Sequence, residues 1–216
     1  MSAIALALTA AALGPVYVGA GGLVPDATIS NNIPNSGLFT SSVISTDVGT
    51  ISDIKMVTLT GLFHSWVGDL QVALISPNGT RVNLFSRVGV TSASGFGSSK
   101  DINGTYGFTD GIGSPPWEPF GGGGFYPSGT YNRVTNTNAP VVQIGTVSGV
   151  QGVNNNTYAS LNGGPSNGTW TLEIRDFYLT AQGLLGSWTL DFNFIPAPGA
   201  IALLGLAGMT ARRRRA

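Results

Sequence analysis

The sequence predicts an all-β protein, an antiparallel β-sandwich or jelly roll, on three observations. Polarity comes from neutral groups: the chain has 32 Gly and 12 Pro, is rich in Asn, Ser and Thr, and only 9% of its residues are charged. That is far below the roughly 25% usual in soluble domains. Apolar residues recur with period two or in short runs from about residue 25 to 194, and turn residues separate the runs. Helical periodicity is confined to the two ends. Many short strands with regular turn signals fit two packed sheets.

The first element is the apolar run Ala3–Leu13, of signal-peptide length, with Val18-Gly19-Ala20 as an expected cleavage site. No Lys or Arg precedes the run. The alternative is a buried first helix or strand. The expected organisation is a signal segment at 1–20, a sandwich domain at 21–195 and a separate tail at 196–216.

Within the domain, "DIKMVTLTGLF" reads as a largely buried strand. "DLQVALIS" puts Leu70, Val72 and Leu74 on one face, and "RVNLF" returns with Val82 and Leu84. Asn78-Gly79 between them supplies the positive φ of a tight turn, so residues 69–86 form a hairpin. Residues 91–165 are loop-rich: Pro and Gly break "GIGSPPWEPFGGGGFYPSGTY" repeatedly. Trp117, Phe125, Tyr126 and Tyr131 there either stack on a sugar or pin the loop. "TWTLEI" and "SWTLDF" echo each other. They are expected to be neighbouring antiparallel strands with Trp170 and Trp188 buried.

The last element is Ala200–Ala211, too short for an ordinary span of about 20 residues, followed by Arg212, Arg213, Arg214 and Arg215. It suits a transient membrane anchor held by its arginines on the cytoplasmic side.

Several classes of function are excluded. Without the terminal arginines the chain has six basic and ten acidic residues, hence no basic footprint for nucleic acid. There is no Cys and one His, which leaves no thiol nucleophile, disulfide or ordinary zinc site. The Gly121–Gly124 run lacks the Gly-Lys-Ser/Thr of a phosphate loop. His64 is expected to hydrogen-bond within a strand-end turn near Asp69. Asn78, Asn103, Asn155 and Asn167 each begin an Asn-x-Thr triplet and read as turn residues.

Two family resemblances follow. His64, Trp66, Gly68, Asp69 and Leu70, then Ser76, Pro77, Gly79 and Thr80, resemble the proprotein convertase P domain (P/Homo B). "YGFTD" (106–110), "GTWTLEIRD" (168–176) and "GLLGSWTL" (183–190) continue its pattern. The resemblance covers about residues 30–194. It implies a jelly-roll, galactose-binding-like sandwich of about eight strands that accompanies a subtilisin-like serine endopeptidase without being catalytic. No cofactor is required. Calcium is the one metal carried, because some P domains bind it and it takes six to eight oxygens. Asp69, Asp110 and Asp176 are the candidate ligands, and turn capping is the alternative.

Pro196-Ala197-Pro198, the apolar run and the arginine cluster together resemble the PEP-CTERM sorting signal, with Ala where that family has Glu. The sorting residues are then Pro196, Pro198 and Arg212–Arg215, and the partner is an exosortase. The function expected is that of an exported, non-catalytic P-domain protein, extracellular or at the cell envelope. Its partner would be a protease, an envelope component or, as a weaker alternative, envelope polysaccharide.

Overall fold

The computed structural model describes residues 12–30, 33–89, 97–111, 124–133 and 157–199. Thirteen strands lie among them. They are β1 (Ala12–Leu13), β2 (Tyr17–Val24), β3 (Thr28–Ser30), β4 (Ile33–Asn35), β5 (Gly37–Ser45), β6 (Gly49–His64) and β7 (Leu70–Ile75). There follow β8 (Arg81–Ser86), β9 (Asp101–Thr109), β10 (Phe125–Tyr126), β11 (Gly129–Asn132), β12 (Gly168–Asp176) and β13 (Gly183–Pro196). A seven-stranded sheet runs β1-β13-β6-β9-β10, with β2 also on β13 and β11 also on β9. A four-stranded sheet runs β5-β12-β7-β8. The β3–β4 pair is separate. The fold is the all-β sandwich that the sequence predicts, antiparallel except where β10 and β11 lie parallel to β9.

The core lies between the sheets and is aromatic-rich. Trp170, Leu172 and Ile174 of β12 face Trp188, Leu190 and Phe192 of β13, all fully buried. The two Trp-Thr-Leu strands are therefore not neighbours, as their echo suggested. They belong to opposite sheets, and Trp170 packs across the gap on Phe192, ring centroids 5.5 Å apart. Period-two alternation gives each strand one apolar face. It does not say whether two such faces lie side by side or face to face.

β6 is half-buried rather than largely buried. Ile51, Ile54, Val57, Leu59 and Leu62 point inward, while Thr60 and Phe63 are exposed. The β7–β8 hairpin is present, but its turn differs from the expectation. Only Gly79 takes a positive φ, +83°. Asn78 instead accepts hydrogen bonds through Oδ1 from the Ser76 hydroxyl (2.6 Å) and the Thr80 amide (3.1 Å). The side chain thus closes a longer loop than a two-residue turn.

The chain's N-terminal part also differs. Where a helical apolar segment is expected, Ala12–Leu13 is strand, paired with Phe194 and Asn193. Val18-Gly19-Ala20 lies inside β2, paired with Thr189, Trp188 and Ser187. Gly19 is required there, since a Cβ would fall on the Trp188 indole. At the other end, Pro196 closes β13 opposite Gly49, and Pro198 and Gly199 begin a helical turn. The apolar run and Arg212–Arg215 lie outside the described residues, as does Trp117.

Candidate functional site

The end of the sandwich where β6 finishes gathers the buried ionisable groups. His64, the last residue of β6, is fully buried. Its Nε2–H donates to Asp176 Oδ2 at 3.0 Å. Its Nδ1 lies 3.0 Å from the Trp66 amide and 2.9 Å from the Trp66 carbonyl. The neutral ring accepts from that amide, and the charged ring donates to that carbonyl. Either way Nε2–H points at Asp176, so one tautomer is held. Burial lowers the His64 pKa, but the Asp176 hydrogen bond and the charges of Asp176 and Asp69 outweigh it, and the net shift is upward.

This pair has the shape of a base and its orienting carboxylate. Both ring nitrogens are engaged and the ring has no exposed edge, so no substrate atom can reach it. Gly183 seals the ring. A Cβ there would sit 3.1 Å from His64 Cδ2 and 3.0 Å from Val24 Cβ. The expectation of a structural His in a strand-end turn therefore fits the geometry. The carboxylate that it bonds is Asp176, 112 residues away, while Asp69 acts on it through charge.

Asp176 completes its bonding by accepting from the Tyr178 amide (2.9 Å). Asp69 ends a 3-10 turn, Val67–Asp69, and is joined to the same corner by the Phe177 amide on its carbonyl (2.9 Å). Its side chain is only 3% exposed. Burial pushes its carboxyl up to about 7, against the attraction of Arg87. Arg87 is itself buried, packs over the Phe177 ring at 5.5 Å and has a left-handed φ of +47°.

An open cleft of about 380 Å³ adjoins this cluster, lined by Ser65, Trp66, Asp69, Tyr178, Leu179, Thr180 and Ala181. Thr180, on its rim, has φ +88°. A β-branched residue takes such a conformation only when its surroundings impose it.

Beside the cleft, on the outer face of the larger sheet, three apolar side chains stand in one cross-strand row. Leu23 of β2 pairs with Leu184 of β13, which pairs with Phe63 of β6. They are 69%, 45% and 41% exposed. Sequence reasoning missed this row because it spans three strands far apart in the chain. The signal was Phe63 and Leu184 on the outward period of otherwise amphipathic strands.

The structure brings together two of the three expected calcium ligands, Asp69 and Asp176. The β6–β9 register pairs His64 with Ile102 and Val57 with Phe108. Asp110 is thus at the other end of β9, about 26 Å away at strand rise. It receives Arg133 through Nε (2.7 Å) and Nη2 (2.9 Å), and the Tyr158 amide (2.7 Å). Arg133 Nη1 also donates to the Asn83 carbonyl (2.6 Å) and the guanidinium lies 4.5 Å from the Tyr158 ring. Asp110 is a clamp between β9, the end of β11 and the Tyr158–Leu161 turn. Among the described residues no three His, Cys, Asp or Glu side chains group to hold a metal. The three carboxylates do not fit one calcium site.

Of the candidate sugar-stacking aromatics, Tyr126 and Tyr131 are buried against β9, and Phe125 is exposed. The Tyr131 hydroxyl donates to the Pro127 carbonyl (2.7 Å) and the Tyr106 hydroxyl to the Tyr126 carbonyl (2.9 Å). The two tyrosines pin the loop.

Residues 55–107 match the model of the proprotein convertase P-domain family. That segment holds most of β6, the Trp66 turn, the β7–β8 hairpin and most of β9. No match is found among curated proteins. The similar solved structures include two of the serine protease of Aeromonas sobria, one in complex with the chaperone ORF2. Each is 16% identical. The matches cover 86% and 84% of this chain, with TM-scores of 0.37 and 0.35. This chain spans 28% of the length of each.

Proposed function

We propose that this protein is a non-catalytic docking module for a subtilisin-like serine endopeptidase, engaged through the His64 end of its larger sheet. The observation that carries the reading is the row Leu23–Leu184–Phe63 beside the cleft. An apolar row across three strands stays exposed at a cost unless something covers it. The match of 55–107 to the P-domain family supports a protease as the partner. The buried His64–Asp176 pair supports a structural role for the one imidazole in the chain. We propose further that the chain is exported, with the segment from Pro196 to Arg215 as its sorting signal and temporary anchor, read by an exosortase. That part rests on sequence pattern alone.

The test uses a purified subtilisin-like catalytic domain lacking its own P domain. Titration with this protein should give a saturable complex and raise the melting temperature of the catalytic domain. Leu184→Asp should abolish both effects and leave the melt of the free module unchanged, because the side chain lies outside the core. A Leu184→Asp variant that binds as well as the parent would remove the row from the interface. No complex with any such catalytic domain would sink the protease reading.

A further inference from the structure

We infer that the cleft beside Trp66 receives a cationic side chain, an arginine or lysine presented by a protein partner. Its lining has the parts that such a group needs. Trp66, Tyr178, Leu179 and Ala181 supply apolar and aromatic walls for an alkyl stem and for a cation over a ring face. Asp69 lies among them as the one lining carboxylate.

The state of Asp69 is the second, independent observation. The residue is nine-tenths buried and more. Yet its carboxylate accepts no hydrogen bond and makes no ion pair with any described residue. Buried carboxylates are ordinarily paired, because an unpaired one forfeits its hydration without return. Arg87 attracts Asp69 through space.

The surrounding charges leave room for one more cation. Those acting on Asp69 are Arg87 and His64 on the positive side, Asp176 and Asp26 on the negative. Three acidic side chains thus face one guanidinium and one imidazole. Asp26 also has a buried oxygen, Oδ1, with no hydrogen-bond partner. A metal ion is a poor fit, since calcium needs six to eight oxygens and these walls are largely carbon. An arginine or lysine carries its charge on an apolar stem and matches both the walls and the floor.

The inference deepens the docking reading and rests on it only for the source of the side chain. The probe is therefore a small molecule, Nα-acetyl-arginine amide, followed by NMR on the isotope-labelled full chain. Saturable shifts are expected at Trp66 and at Tyr178–Ala181, with millimolar affinity. The citrulline analogue, isosteric but uncharged, should bind about tenfold more weakly or worse, as should the probe to Asp69→Asn, the loss for one charge-assisted hydrogen bond. Tyr178→Ala, which removes one wall, should also weaken binding and serves if Asp69→Asn does not fold. Equal binding of citrulline would overturn the inference, as would undiminished binding by folded Asp69→Asn. So would shifts that never saturate. Leu184→Asp should bind the probe normally, so failure of the cleft and failure of the docking row are read separately.

Discussion

At the scale of single residues, the His64 corner makes stability depend on pH. Asp69 has its carboxyl raised from 3.8 to about 7. The folded state therefore holds a proton that the unfolded state has lost between about pH 4 and 7. Stability must fall as pH rises through that interval, with a slope approaching about 1.4 kcal/mol per pH unit. His64 acts in the same direction. Its raised pKa contributes stability below the unfolded value of 6.5, lost as pH rises through the folded value. Denaturant melts from pH 4 to 8 should show the decline, and Asp69→Asn should flatten it between 4 and 7. A variant with the parent's slope would show that Asp69 does not titrate in this range. Here sequence reasoning reached its limit. It could place His64 and Asp69 in one turn, because they are five residues apart. It could not see Asp176, which β12 delivers to the ring from 112 residues away. It likewise grouped Asp110 with the other two carboxylates by their shared position at strand ends, and strand ends lie at both ends of a sandwich.

Elements were legible as individuals more than as pairs. The alternation of "TWTLEI" and "SWTLDF" correctly marks which side chains are buried. The partners of those strands depend on long-range register, which period two does not encode. β2 was obscured for another reason: apolar, Gly-rich "YVGAGGLV" has the composition of a leader's end as well as that of an edge strand. Its glycines now have a structural account, since the β2 backbone must lie close over Trp188 and Phe39. The two tryptophans anchor opposite sheets of one core. The Trp188 indole donates to the Ser41 hydroxyl (2.9 Å) and that of Trp170 to the Ser166 carbonyl (3.3 Å). Trp170→Ala and Trp188→Ala should each cost about 3–5 kcal/mol through the cavity that they leave. Phe125→Ala, at a side chain 63% exposed, should cost under about 0.5 kcal/mol. Urea melts of the three variants decide it. A small loss at either tryptophan would mean that the two sheets are not locked through these rings.

On the scale of the whole molecule, the question is where the folded body stops. The final hydrogen bonds of β13 run past its predicted boundary. Pro196 pairs with Gly49, and the Ala197 amide donates to the Val48 carbonyl (3.0 Å). The Ser166 amide donates to the Gly49 carbonyl (3.1 Å) on the other side of that strand end. A cut at 195 would therefore remove sheet, whereas a cut after Gly199 keeps every bond named here. Deleting 200–216 should leave the circular-dichroism spectrum and the cooperative melt unchanged, while deleting 195–216 should lower the midpoint. In the producing cell, the shorter deletion should also change where the protein accumulates, because it removes the apolar run and all four terminal arginines but none of the sandwich. A destabilised melt after the shorter cut would mean that the apolar run packs on the domain. Unchanged localisation with an intact melt would leave the fold as described and remove the sorting role of the tail.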